Sequence, residues 1–142
     1  MLVITNLITE EGCTVKKAIT ASMQDYLEVI LNLNENNTAV RVTDIAKRLG
    51  IAKASVNQSI NKLKKLNLVK HETYGPVQLT NAGREVAEGV RERHNTLYNF
   101  LVNVLGVDSV TAEKDACLME HAISDLTMNK LTQFLEKKEN LN

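Results

Sequence analysis

Between Thr20 and Asn34 the apolar residues Met23, Tyr26, Leu27, Ile30, Leu31 and Leu33 recur at helical intervals, the pattern of a helix with one face in a core. Asn34, Asn36 and Asn37 then predict a stop and a turn. The next segment, RVTDIAKRLG, predicts a short helix with Thr43 as N-cap, Ile45, Ala46 and Leu49 inward, and Gly50 as its terminator. A longer amphipathic helix follows in KASVNQSINKLKKLNLV, where Val56, Ile60, Leu63 and Leu66 share one face. Two short β-prone runs, Leu68–Lys70 and Val77–Leu79, flank TYGP and predict a hairpin. LTNAG opens a long helix from Ala82 to about Leu105, with Val86, Val90, Leu97, Leu101 and Val104 on its face and Gly106 at its end. Two last helices are predicted over 109–122 and 125–138.

This order predicts a mainly α protein: an N-terminal winged helix-turn-helix domain with a small β-hairpin wing, then a C-terminal helical dimerisation domain. The boundaries fall at 1–19 for an N-terminal extension without strong periodicity, 20–82 for the winged domain, and 83–142 for the helical domain. Phe100, Leu101, Leu126, Leu131 and Phe134 are the expected apolar dimer face.

Composition sharpens the picture only when it is divided along the chain. The formal net charge is zero, yet residues 38–84 hold nine basic and two acidic groups, for +7. The flanks are acidic, −3 over 1–37 and −4 over 85–142. A basic segment coincident with a helix-turn-helix points to double-stranded DNA. Cys13 and Cys117 lie far apart with no CxxC pairing, so no disulfide framework is expected. Neither a signal-peptide pattern nor a membrane-length apolar run appears, and a cytoplasmic protein is expected.

In the second helix of the motif, Lys53, Ser55, Asn57, Gln58 and Ser59 occupy the first turns, the part that meets base edges in the major groove. Asn57 and Gln58 have the donor–acceptor pair that adenine accepts in bidentate fashion, and Lys53 suits guanine or phosphate. Lys62, Lys64 and Lys65, further along, suit phosphates, and Arg41, at the start of the motif, is a further candidate for DNA binding. The plainer reading of these side chains is a solvated helix face; the basic segment and the following hairpin favour DNA.

A second constellation lies in the penultimate helix, where Glu113, Cys117, Glu120 and His121 follow an i, i+4, i+7, i+8 spacing. One helical face therefore displays carboxylates, a thiol and an imidazole. Asp25 and Glu28 share a face of the first helix, and His94 stands on the long helix. Such a donor set suits a first-row transition metal. The plainer reading is an acidic surface with Cys117 as core filling. Cys13 and His71 lack metal-spaced partners and are read as non-ligands.

SMQDYLEVI, RVTDIAKRLGIAKASVNQSINKLKKLNLV, GPVQLTNAGREVA, RHNTLYNFLVNVLGV and DACLMEHAISD together resemble the diphtheria-toxin-repressor family of metal-dependent regulators, which includes the manganese transport regulators. The resemblance runs from about residue 20 to 138. It implies that Asp25 and His94 occupy ligand positions, that Cys117, Glu120 and His121 form a CxxEH-type ligand motif, and that Glu28 matches a carboxylate ligand of manganese-type members. Against that family the site is a hybrid. Manganese-type members have glutamate where Cys117 stands; iron-type members have the cysteine but methionine where Asp25 stands. Tyr98 replaces a carboxylate of the iron-type ancillary site, and Glu113 replaces its histidine. The SH3-like third domain of many iron-type relatives is not expected.

The expected function is therefore a metal-dependent DNA-binding transcriptional regulator, by resemblance a repressor of metal-homeostasis genes with Fe(II) or Mn(II) as corepressor. Zn(II) and Co(II) are expected to bind in vitro, since affinity rises along the first-row series. The expected partners are a second copy of the chain and a pseudo-palindromic operator, with no membrane and no small organic substrate. The competing reading is a winged-helix regulator that senses an organic ligand or a partner protein. An enzyme is disfavoured, because no HExxH, nucleophile motif or glycine-rich phosphate loop is present.

Overall fold

The computed structural model describes residues 19–36 and 39–141; Cys13, Asn37 and the extension through residue 18 lie outside them. The chain divides into two compact units, one ending at Ala87 and one beginning at Glu88.

The first unit begins in its own core, since Ile19, expected to close the extension, is buried there. Thr20 caps α1 (Ala21–Asn34) by accepting the Met23 amide on its hydroxyl at 3.2 Å, which satisfies a donor the helix cannot. Helix α2 (Val42–Leu49) starts one residue before the expected cap. Arg41 is the extended N-cap residue, and Asp44 accepts its amide at 2.9 Å, so Thr43 lies inside the helix. The acidic side chain reaching back satisfies the Arg41 amide and sets the start of the helix ahead of Thr43. Gly50 ends α2 at φ +66°, the left-handed conformation that a Cβ disfavours.

Helix α3 (Lys53–Lys65) buries Val56, Ile60 and Leu63 against Leu27, Ile30, Leu31 and Ile45. Leu66, expected on the same face, is only half-buried at its C-cap. The helix closes through Asn67 at φ +57°, with the Leu68 amide returning to the Leu63 carbonyl at 3.0 Å. Asparagine is among the few non-glycine residues suited to that turn. The wing pairs β1 (Val69–His71) with β2 (Val77–Leu79) in antiparallel register, Lys70 opposite Gln78. The first strand is displaced by one residue from Leu68–Lys70, because the Leu68 amide is spent on closing α3. Val77 donates to the Val40 carbonyl at 2.7 Å, which anchors the hairpin to the segment before α2.

Thr80 joins these pieces. Its hydroxyl donates to the Asn67 carbonyl at 2.6 Å and accepts the Gly83 amide at 3.1 Å, starting α4 (Asn81–Asn99) one residue before the expected Ala82. Gly83 lies so close to the hairpin that an added Cβ would sit 1.9 Å from the Leu68 oxygen. The first turns of α4 are thus packed into the winged unit, with Ala87 fully buried in its core. The two units accordingly meet inside α4, between Ala87 and Glu88.

In the second unit α4 widens over Phe100–Val104 into a π-helical turn, seen in the Leu105 amide donating to Phe100, instead of running on as an α-helix. Asp108 and Ser124 cap α5 (Ser109–Met119) and α6 (Asp125–Glu139) by accepting the Thr111 and Thr127 amides. The core is small: Leu97, Leu101, Ala112, Ala116 and Met128. Leu126 and Phe134 of the expected dimer face are exposed, and Phe100 and Leu131 are half-buried. Leu101 is not part of such a face, because at 6% exposure it fills the protomer's own core.

Candidate metal centre and nucleic-acid interface

In the second unit His94 is held between two carboxylates. Its Nδ1 lies 2.8 Å from Oε2 of Glu120, and its Nε2 lies 3.1 Å from the Glu113 carboxylate. The Cys117 sulfur is 3.7 Å from Nδ1, and Tyr98 stacks on the ring at 6.5 Å between centroids. These contacts follow from helix spacing: Glu113, Cys117 and Glu120 recur on α5 and its C-cap so that one face meets α4 at His94. Glu120 is fully buried, and its Oε1 lies 3.2 Å from Nε2 of His121.

The electrostatics favour a cation at this point. Burial alone lowers the pKa of His94, but the hydrogen bond and charge of Glu113 and then those of Glu120 outweigh it, holding the pKa above 6.5. Both ring nitrogens face carboxylates, so the imidazolium can donate to each. Donor atoms of His94, Glu113 and Cys117 all lie within 4.8 Å of one another. Imidazole, carboxylate and thiol at that separation fit a divalent transition metal, which would take the place of the imidazolium proton. Cys117 is exposed rather than core filling, which removes the plainer account of it.

The structure thus brings His94, Glu113, Cys117 and Glu120 together, with His121 joined to them through Glu120. Asp25 and Glu28 stand on α1 of the first unit. His71 lies in β1, where its carbonyl accepts Nζ of Lys64 at 2.9 Å. Arg93, absent from the sequence reading, donates Nε to the Glu120 carbonyl at 2.8 Å and pairs with Asp125 at 2.9 Å. Its partners lie 27 and 32 residues away, and no local pattern announces them.

In the first unit α3 exposes Lys53, Ser55, Asn57, Gln58, Lys62, Lys64 and Lys65, while Ser59 is half-buried. Ala52, its N-cap, offers no side-chain acceptor to the first amides, leaving them suited to an anionic oxygen. Arg41 is exposed at the start of α2. A surface of lysines, amides and hydroxyls on the helix that precedes a wing is the chemistry of groove recognition.

The family model described as the iron dependent repressor N-terminal DNA binding domain matches residues 18–77. That of the iron dependent repressor metal binding and dimerisation domain matches residues 80–140. An HTH-type transcriptional regulator of Methanocaldococcus jannaschii is 40% identical over 82% of this chain and 94% of its own. The transcriptional regulator MntR of Escherichia coli O6:H1 is 35% identical over 81% of this chain and 74% of its own. A solved manganese-dependent transcriptional repressor in complex with manganese is similar at a TM-score of 0.75 and 36% identity, covering 80% of this chain. The chain spans 52% of that protein's length. The chain belongs to the iron-dependent repressor family, whose members are metal-dependent DNA-binding transcriptional regulators and not enzymes. Among the described residues no helix is long and apolar enough to cross a membrane.

Proposed function

We propose that this protein is a homodimeric, cytoplasmic repressor of metal-homeostasis genes, with Fe(II) or Mn(II) as its corepressor. The observation that carries the proposal is the placement of His94 against Glu113, Glu120 and Cys117. His94, Glu113, Cys117, Glu120 and His121 are the proposed ligands. Asp25 and Glu28 are added on the strength of the family resemblance. When bound, the ion supplies the positive charge that the His94 proton otherwise provides. Carboxylates favour Mn(II) or Fe(II), while the thiol leans toward Fe(II), Co(II) or Zn(II). Regulation then requires only that the ion favour the DNA-competent form.

The small core of the second unit and its exposed Leu118 and Leu126 support association with a second copy. A two-fold dimer reads a pseudo-palindromic operator. In that reading Asn57 and Gln58, with Lys53, Ser55 and Ser59, face bases, and Arg41, Lys62, Lys64 and Lys65 face phosphates. The test is selection of duplexes from a random-sequence pool with Mn(II), Fe(II) or chelator. Recovery of one pseudo-palindrome only with metal is expected; its recovery equally with chelator would favour a regulator that senses something else.

A further inference from the structure

Glu120 is gripped from both ends by neighbouring residues of one helix. Its carboxylate meets His94, and its main-chain carbonyl accepts Nε of Arg93 at 2.8 Å. The same guanidinium donates to the Ile123 carbonyl and pairs through Nη1 with Asp125 at 2.9 Å. All three partners lie in the turn from the C-cap of α5 to the first residue of α6. That turn also carries His121, between the two carbonyls Arg93 holds.

We propose that Arg93 is a positioning residue for the metal centre. It fixes the turn on which Glu120 and His121 stand, and so sets the orientation of the Glu120 carboxylate toward His94 and of His121 toward Glu120. The chemistry is specific to arginine. Its planar fork offers donors in several directions at once, whereas lysine offers a point charge on a flexible stem. Carbonyls past the end of a helix have no partner within it, and a cation there also complements the helix dipole. Without the fork, two carbonyls and a carboxylate of this turn lose their partner on α4, and the turn becomes free to open locally. Outer partners that orient ligands in this way change metal affinity by about 10- to 100-fold when removed.

The inference rests on the metal reading above, and the experiment separates the two. Wild type, Arg93→Met, Arg93→Lys and Asp125→Asn are titrated with Co(II), with absorption spectra and apo thermal unfolding recorded for each. The expected result is tight binding by wild type and an affinity about 10- to 100-fold lower for Arg93→Met, with an altered ligand-field spectrum. Arg93→Lys should recover only part of the loss, and Asp125→Asn should lose a few-fold. If wild type binds Co(II) and Arg93→Met matches it in affinity and spectrum, Arg93 has no positioning role. If Arg93→Met binds less only in proportion to its unfolded fraction, while Asp125→Asn binds as wild type, the effect is on the fold alone and the proposal is overturned. No Co(II) binding by wild type would remove the metal reading and this inference together.

Discussion

His94 and Glu120 are joined across the second unit by a 2.8 Å contact between Nδ1 and Oε2, with the glutamate side chain only 1% exposed. A carboxylate that deeply buried needs a positive partner to remain ionised. In the metal-free protein a proton on His94 supplies that charge at pH below its raised pKa. A divalent ion would compete with the proton for a ring nitrogen and the carboxylate that faces it, so protons and metal are rivals at that nitrogen.

This rivalry fixes a pH dependence. The pKa of His94 is raised above 6.5. Protonation of His94 therefore stabilises the metal-free fold fully below 6.5, and the contribution is lost as pH rises through the raised value. Metal binding has the opposite sign, since the proton must leave. Metal affinity should fall by up to about tenfold per pH unit below the raised value, with proton release measurable by calorimetry in buffers of different ionisation enthalpy. Affinity independent of pH across this window would place the ion elsewhere.

The thiol should set part of the preference among ions. Cys117→Ser is expected to weaken Zn(II) and Co(II) more than Mn(II), because a hydroxyl is a harder donor than a thiolate. Competitive titration of the three ions against one chelator measures the ratio. An unchanged ratio would leave Cys117 outside the ligand set.

The winged unit offers a test of packing without metal. Gly83→Ala would drive a Cβ to 1.9 Å from a backbone oxygen, whereas at Gly75 the nearest atom lies 3.3 Å away. Gly83→Ala should cost about 2–4 kcal/mol, and Gly75→Ala well under half of that. Urea unfolding followed by circular dichroism compares them.

Salt dependence separates two kinds of lysine on α3. Lys65 is exposed, while Lys64 donates to the His71 carbonyl in the wing. Lys65→Ala should reduce the slope of log affinity against log salt by about 0.9, as for one lost phosphate contact. Lys64→Met should weaken binding with a smaller change in slope, because part of its role is holding the wing to the recognition helix. Equal slope changes would make both plain phosphate contacts.

Much of the fold was legible because it is written in short-range terms. The inward series of α1 and α3 and the Gly50 stop are local consequences of side-chain type. The departures arose where neighbouring groups compete for one partner, or where a partner far along the chain decides. Thr43 looks like a cap, yet Asp44 takes the Arg41 amide and starts α2 earlier. Leu68 looks like a strand residue, but its amide closes α3. Leu101 lies on the apolar stripe of α4 and is consumed by its own protomer's core. The candidate ligands were visible through helical spacing on α5, while Arg93 was not, because its partners come from a turn far along the chain.

The central claim is that metal at the His94 site controls DNA binding. It is tested most directly by fluorescence anisotropy of the selected duplex, titrated with wild type and with His94→Ala. Each titration is run with Mn(II), with Fe(II) under anaerobic conditions, and with chelator. Wild type should gain at least about tenfold in affinity with metal, or roughly 1.4 kcal/mol, and lose it on chelation. His94→Ala should stay at the chelated level throughout. Wild-type affinity that is the same with metal and with chelator would contradict the account.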